Sequence, residues 1–312
     1  MQDDVRRTTK VEGREHWTKS QGRDLFLWEK PAADGPPRGT ILFIHGSSMP
    51  CQPTFDLQVE GMPEASVMDW FATRGFHCWA FDCRGYGRSY KGDEIAASIA
   101  DGADDALAAT DYVKSQGFDG PFMAYGISSG ALRAALFAQR HPGRVARLAL
   151  DAMVWTGDGS PTLEQRRKKL DQWRGSPRRP IDRAFLLSIF NRDHPGTVED
   201  AFVEPFIEQV LALDDSVPNG TYIDMCANLP VVDPERIPMP TVLMRGEFDG
   251  IAGVDDLLAF FKRLPNPDKE FAVMPGIAHA SFTQKNFLLV YQILHAFLTR
   301  PAPVYRGRGD AA

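Results

Sequence analysis

The segment Gly126-Ile127-Ser128-Ser129-Gly130 carries a G-x-S-x-G spacing. Two serines compete in it for one chemical role. A nucleophile held on a sharp strand-to-helix turn needs small residues two positions before and after it, because strand and helix crowd the backbone there. Ser128 has Gly126 and Gly130 at those offsets, whereas Ser129 would have Ile127 and Ala131. Ser128 is the candidate nucleophile. Ser129, at the start of the expected helix, offers a backbone N–H where an oxyanion would develop. A serine hydroxyl needs a base, and the base needs an acid to orient it. Of the histidines, His194, His279 and His295 follow a plausible acid. His295 falls in the last helical pattern and His194 in a helical stretch. His279, in MPGIAHASF, lies on a loop between strand and helix patterns, where a base belongs. Asp249, in VLMRGEFDG, ends a strand pattern, at the sheet edge where catalytic groups of open α/β sheets gather. Asp151, ending LALD, and Glu247 are the alternatives. The expected set is Ser128, Asp249 and His279.

The elements that must position these residues show in the texture of the chain. TILFIHG, FHCWAFD, PFMAYG, RLALDAM, PTVLMRG and KEFAVMPG are apolar runs ending in small or polar residues, as suits strands buried on both faces of a parallel sheet. HWTKS and DLFLWEK, split by Gln21-Gly22, read as an antiparallel hairpin. Helical patterns alternate with the strands, which predicts a doubly wound, mostly parallel α/β sheet. Residues 155–236 break the alternation. SPTLEQRRKKLDQW reads as a helix capped by Ser160 with Pro161 first, IDRAFLLSIF as another, and TVEDAFVEPFIEQVLAL as one interrupted by Pro205. The expected division is a core of residues 1–154 and 237–312 with a helical cap, or lid, at 155–236. Met153 and Trp155 at its entrance, and Tyr222 and Met225 near its exit, are candidate pocket residues, as is Ser48; ordinary core packing is the competing reading. The basic run QRRKKLDQWRGSPRRP reads as a solvated helix face, with attraction of a carboxylate-bearing or acyl-CoA-like substrate as the sharper alternative.

Composition narrows the rest. The 312 residues carry a formal net charge of -6, which argues against nucleic acid or an anionic membrane as the main partner. The four cysteines are irregularly spaced with no CxxC pair, so neither a metal site nor a disulfide framework is expected, and a reducing cytoplasm fits. No apolar run reaches membrane-spanning length. The N-terminal stretch has no apolar core of signal-peptide length, and the tail YRGRGDAA carries no address. Neither a nucleotide loop nor any other cofactor motif is present. The expected partner is a small-molecule substrate; the oligomeric state is open, a dimer included.

Together FIHGSS, FDCRGYGRS, GISSG, and RGEFDG with GIAH resemble the α/β-hydrolase fold superfamily over almost the whole chain. The resemblance implies a Ser-Asp-His hydrolase with a helical cap. It implies that the N–H after His45-Gly46, at Ser47 or Ser48, donates to the oxyanion alongside that of Ser129, and that Asp82, Arg84, Gly85, Gly87 and Ser89 form a structural turn. The oxyanion loop runs HGSSMPCQP, without the H-G-G-G of lipase-like members or the Gly-Pro-Gly of many C–C hydrolases. The implied function is cleavage of a small carboxylic ester. The same triad acting on a thioester, lactone, amide or diketone C–C bond is the alternative, and a non-catalytic ligand-binding protein on this fold the second.

Overall fold

The structure, a computed structural model, describes residues 7–304; the tail YRGRGDAA lies outside the described residues. The strands are β1 (Arg14–Ser20), β2 (Arg23–Lys30), β3 (Thr40–Ile44), β4 (His77–Phe81), β5 (Phe122–Ile127), β6 (Val145–Asp151), β7 (Arg178–Pro180), β8 (Ser216–Pro218), β9 (Thr241–Gly246) and β10 (Lys269–Met274). Eight of them make one sheet in the order β1-β2-β4-β3-β5-β6-β9-β10. β1 and β2 pair antiparallel across Gln21-Gly22, both with positive φ, as the expected hairpin turn requires. Along this sheet, from β4 across to β10, every pairing is parallel. The doubly wound sheet expected from the apolar runs is present.

All five residues of β3 are buried, because helices cover both faces. The helices Ile99–Ser115 and Ser129–Arg140 pack together. Val67–Thr73 and Phe287–Thr299 meet through Trp70, Tyr291 and His295. Only β10 departs from the both-faces-buried reading. It is an edge strand, half-buried along most of its length, with Val273 exposed. The chain crosses from β4 on one side of β3 to β5 on the other, so the carboxyl ends of β3 and β5 border a switch point, where open α/β sheets leave a crevice.

Residues 155–236 contain the helices Pro161–Arg167, Leu170–Arg174, Arg183–Asn191 and Asp200–Leu211. Ser160 accepts the Leu163 N–H and Pro161 occupies the first turn. Three details differ from the pattern reading. The basic segment forms two helices that break at Lys168-Lys169, where Arg166 and Lys169 would stack like charges on one face. Pro205 sits inside a continuous helix rather than interrupting it, at the loss of one N–H donor. And β7 pairs antiparallel with β8, strands too short to show as apolar runs. At the seam, buried Asp256 accepts the N–H groups of Trp155, Thr156 and Gly157. Among the described residues no helix is long and apolar enough to cross a membrane, and no group of three or more His, Cys, Asp or Glu is placed to hold a metal ion.

Candidate active site

Ser128 lies between β5 and the helix Ser129–Arg140 with φ 58° and ψ -125°. That backbone is strained for a residue with a Cβ, and such strain clusters at functional sites. The flanking glycines explain how the turn closes. A Cβ on Gly126 would lie 2.3 Å from the Gly130 carbonyl oxygen, and one on Gly130 would lie 2.2 Å from the Ile44 oxygen. The small-residue rule that selected Ser128 over Ser129 is thus a rule about backbone contact.

His279 Nε2 is 2.9 Å from Ser128 Oγ. Its Nδ1 is 2.9 and 3.0 Å from the two carboxylate oxygens of Asp249. Asp249 also accepts the N–H groups of Ile251 and Ala252, which fix its orientation. Burial works to raise its pKa, yet His279 and the two N–H donors outweigh it and hold Asp249 below the usual carboxylate range. The rival acid is near His279 but makes no hydrogen bond to it. Asp151 is fully buried and accepts hydrogen bonds from Tyr125 Oη at 2.6 Å and from Ser281 Oγ. Burial pushes its pKa up to about 6. Glu247 accepts the Gly276 N–H instead. His295 is packed against Trp70, Phe71 and Phe76, and His194 stacks on Phe248.

A Cβ on Gly46 would meet Ser128 Cβ at 3.3 Å, so the loop after β3 passes directly over the nucleophile. Ser47 Oγ lies 2.8 Å from Ser129 Oγ and 2.6 Å from Thr221 Oγ1. Among the described residues the N–H groups of Ser47 and Ser129 have no protein acceptor. Ser48 turns away from them: its φ is 82°, and its hydroxyl accepts from Arg179. His45 is buried, and its Nε2 accepts the Cys83 N–H. Burial and the neighbouring Arg133 push it down to about 3, so it is neutral. The Asp82–Ser89 turn holds itself together differently from a simple Asp–Arg pair. Asp82 accepts the N–H groups of Cys51 and Arg88, while Arg84 pairs with Asp105.

A cavity of about 700 Å³ of empty space, part of it open to solvent, lies against Ser128 and His279. Its walls are largely apolar, Ile189, Phe190, Phe206 and Phe282 among them. Of the candidate pocket residues, Ser48 and Tyr222 line it and Met153, Trp155 and Met225 do not. Met153 and Met225 are buried in the core. The backbone of Trp155 is anchored by Asp256, which turns its indole toward Phe260 and the Val232 carbonyl. The residues missed from sequence are Thr221, Arg166 as an individual side chain, and Arg192. Arg166 stood within the basic run, but nothing in the pattern distinguished it from Arg167 or Lys168.

The model of the family described as "Serine aminopeptidase, S33" matches residues 35–286. No curated protein matches the chain in sequence. Among solved structures, E-2-(acetamidomethylene)succinate hydrolase aligns with a TM-score of 0.68 at 17% identity, covering 93% of this chain and 100% of that one. A monoglyceride lipase from Saccharomyces cerevisiae aligns at 0.64 and 17% identity, covering 95% and 97%. A thermophilic esterase from Thermogutta terrifontis aligns at 0.63 and 20% identity, covering 91% and 98%. At these identities the likeness is one of fold.

Proposed function

Because the chain belongs to the S33 serine aminopeptidase family of α/β-hydrolases, we propose that it is a serine hydrolase that cleaves a small carboxylic ester through an acyl-enzyme on Ser128. One observation carries the reading: the unbroken chain Ser128–His279–Asp249 at the wall of an apolar cavity. In this reading residues 155–236 are the cap that closes the cavity over the sheet. His279 Nε2 takes the Ser128 proton as Oγ bonds to the ester carbonyl carbon. Asp249 holds the proton on Nδ1 and offsets the imidazolium charge. The N–H groups of Ser47 and Ser129 receive the oxyanion; losing one such donor typically costs about 3–4 kcal/mol of barrier. The carbon–oxygen bond to the alcohol breaks as His279 returns its proton to the leaving oxygen. Water, deprotonated by His279, then attacks the acyl-enzyme and releases the carboxylic acid, restoring Ser128.

The test is a fluorophosphonate probe with a panel of p-nitrophenyl esters. Folded wild-type protein should label at Ser128 and hydrolyse short esters, and Ser128→Ala should do neither. Absence of labelling in folded protein would point instead to a ligand-binding protein on this fold. Labelling without ester turnover would move the reading to a thioester, lactone, amide or C–C substrate.

A further inference from the structure

The cavity beside Ser128 is largely apolar, and its charged side chains apart from His279 are two arginines at the boundary with an outer cleft. There Arg166, at the end of the helix Pro161–Arg167, and Arg192, just past the helix Arg183–Asn191, both contribute to its wall. The same two side chains, with Ile189 and Tyr222, also line an outer cleft whose far wall includes Lys169 and Trp173. They therefore stand at a neck between the inner cavity and the outside.

The charges at this neck are not balanced by the protein. The Arg166 guanidinium lies 4.3 Å from the centre of the Tyr222 ring, and among the described residues it meets no carboxylate and no hydrogen-bond acceptor. Arg179 lies 3.7 Å from the same ring centre. Its donors go to the Pro218 carbonyl, the Asn219 side-chain oxygen and Ser48 Oγ, none of them charged. Arg192 alone has a carboxylate: its Nε and Nη2 both reach Asp193, at 2.8 Å each. Three guanidinium groups thus surround one phenol with a single carboxylate among them. Burial and the charges on Arg192 and Arg179 act to disfavour the cationic form of Arg166. Arg166 is half-buried and Arg192 reaches solvent, so an anion has access to both; like charges converging on one ring attract such a group, and guanidinium forks suit planar oxyanions.

We propose that Arg166 and Arg192 form a subsite for an anionic oxygen group, carboxylate or phosphate, carried by the substrate whose ester carbonyl lies at Ser128. The substrate class is then an acidic ester with an apolar spacer that fills the cavity between its two ends. The proposal rests on Ser128 being the nucleophile. Within the basic run it singles out Arg166 from its neighbours, since Arg167 is tied to the Cys226 carbonyl and Lys168 to Gln165.

The experiment compares monomethyl esters of straight-chain dicarboxylic acids, from malonate to suberate, with their dimethyl esters, each kcat/KM taken per ester group. A second arm compares acyl esters of glycerol phosphate with those of glycerol. In the wild type the best-fitting anionic ester should exceed its neutral partner by about 10- to 100-fold, the range of a charge-assisted hydrogen bond. Arg166→Met should bring that ratio close to unity, and Arg192→Met, on a separate segment, should lower it as well. Lys168→Met should leave it in place. A preference in the first arm assigns the anion as carboxylate, and in the second as phosphate. A wild-type ratio near one in both arms, or a ratio untouched in Arg166→Met and Arg192→Met, overturns the proposal. Binding of free glutarate and of inorganic phosphate to Ser128→Ala, read as a thermal shift, tests the subsite without turnover: a shift lost on adding Arg166→Met supports it, and no shift overturns it. If the fluorophosphonate probe fails to label Ser128, the nucleophile reading fails. If it labels Ser128 and neutral esters turn over as fast as acidic ones, only the subsite fails.

Discussion

Two buried aspartates lie close to His279, and they should respond to the same substitution in opposite ways. Asp249 touches His279 Nδ1 with both oxygens, and Oδ1 also accepts two backbone N–H groups. Asp249→Asn keeps the shape and removes the charge. The N–H groups of Ile251 and Ala252 will hold the amide oxygen at the Oδ1 position, which leaves the NH₂ facing Nδ1. That favours the tautomer with the proton on Nε2, which cannot accept from Ser128. A triad put in the wrong tautomer loses about 10⁴ in kcat, equivalent to about 5 kcal/mol. Asp151→Asn should do something else. Both donors to Asp151, Tyr125 and Ser281, converge on Oδ2, and Oδ1 has no partner, so an amide oxygen can keep both bonds. Its pKa of about 6 stands above the ordinary aspartate value of 3.8. A raised carboxyl stabilises the fold below its unfolded pKa, and that contribution disappears as pH rises through about 6. At neutral pH the ionised group therefore costs about 3 kcal/mol. Asp151→Asn should raise Tm at about pH 8, bring no gain at about pH 4, and keep kcat within about tenfold of wild type. Steady-state kinetics on p-nitrophenyl acetate and calorimetric melts at the two pH values read both effects. Equal losses of kcat in the two variants, or a larger loss in Asp151→Asn, would refute the assignment of Asp249 as the acid.

Gly130→Ala places a Cβ 2.2 and 2.5 Å from the carbonyl oxygens of Ile44 and His45. Since backbone and not a flexible side chain stands in the way, soluble yield or probe labelling at Ser128 should collapse; a folded, fully active variant would contradict the packing described. Tyr222 offers a pH signature for the proposed anion subsite. Burial pushes its phenol up, but the charges of Arg166 and Arg179, the Ser48 hydroxyl and the charge of Arg192 prevail and bring it to about 7. Above that pH a phenolate cancels part of the cationic surplus. The inhibition constant of glutarate should therefore weaken as pH rises through about 7 in the wild type, and the step should vanish in Tyr222→Phe; an identical profile in both proteins would remove Tyr222 from the subsite.

What could be read without coordinates follows from how local each constraint is. Ser128 was legible because its turn demands glycine at two fixed offsets, and the reason is visible in the Gly126 and Gly130 contacts. His279 and Asp249 were legible because each closes a strand pattern at one sheet edge. The buried strands showed as apolar runs, and β10 misled only because an edge strand of similar composition carries no mark of its position. The pocket was less legible. Trp155 has the bulk of a pocket residue, but its direction is set by Asp256, distant in sequence. Arg166 and Arg179, from the two ends of the basic run, and Arg192 beyond it converge on Tyr222 only when residues 155–236 are folded. No local pattern records a convergence of that kind.

The loop after β3 joins these two levels. Where lipase-like members place glycine after His-Gly, this chain has Ser47 and Ser48, and each hydroxyl reaches into the 155–236 segment: Ser47 to Thr221, Ser48 to Arg179. Ser48 holds φ at 82°, a conformation glycine adopts freely and serine only at a cost of about 1–3 kcal/mol. Glycine there would relax the backbone but leave Arg179 without one of its acceptors and Tyr222 without the Ser48 hydroxyl. The strain thus falls in the loop whose N–H groups are proposed to receive the oxyanion, and it is offset by bonds to the arginine cluster proposed to select the substrate. A shift of residues 155–236 around a bound anion would pull on Ser48 through Arg179 and on Ser47 through Thr221, so the proposed anion subsite and the proposed oxyanion donors share one short piece of backbone.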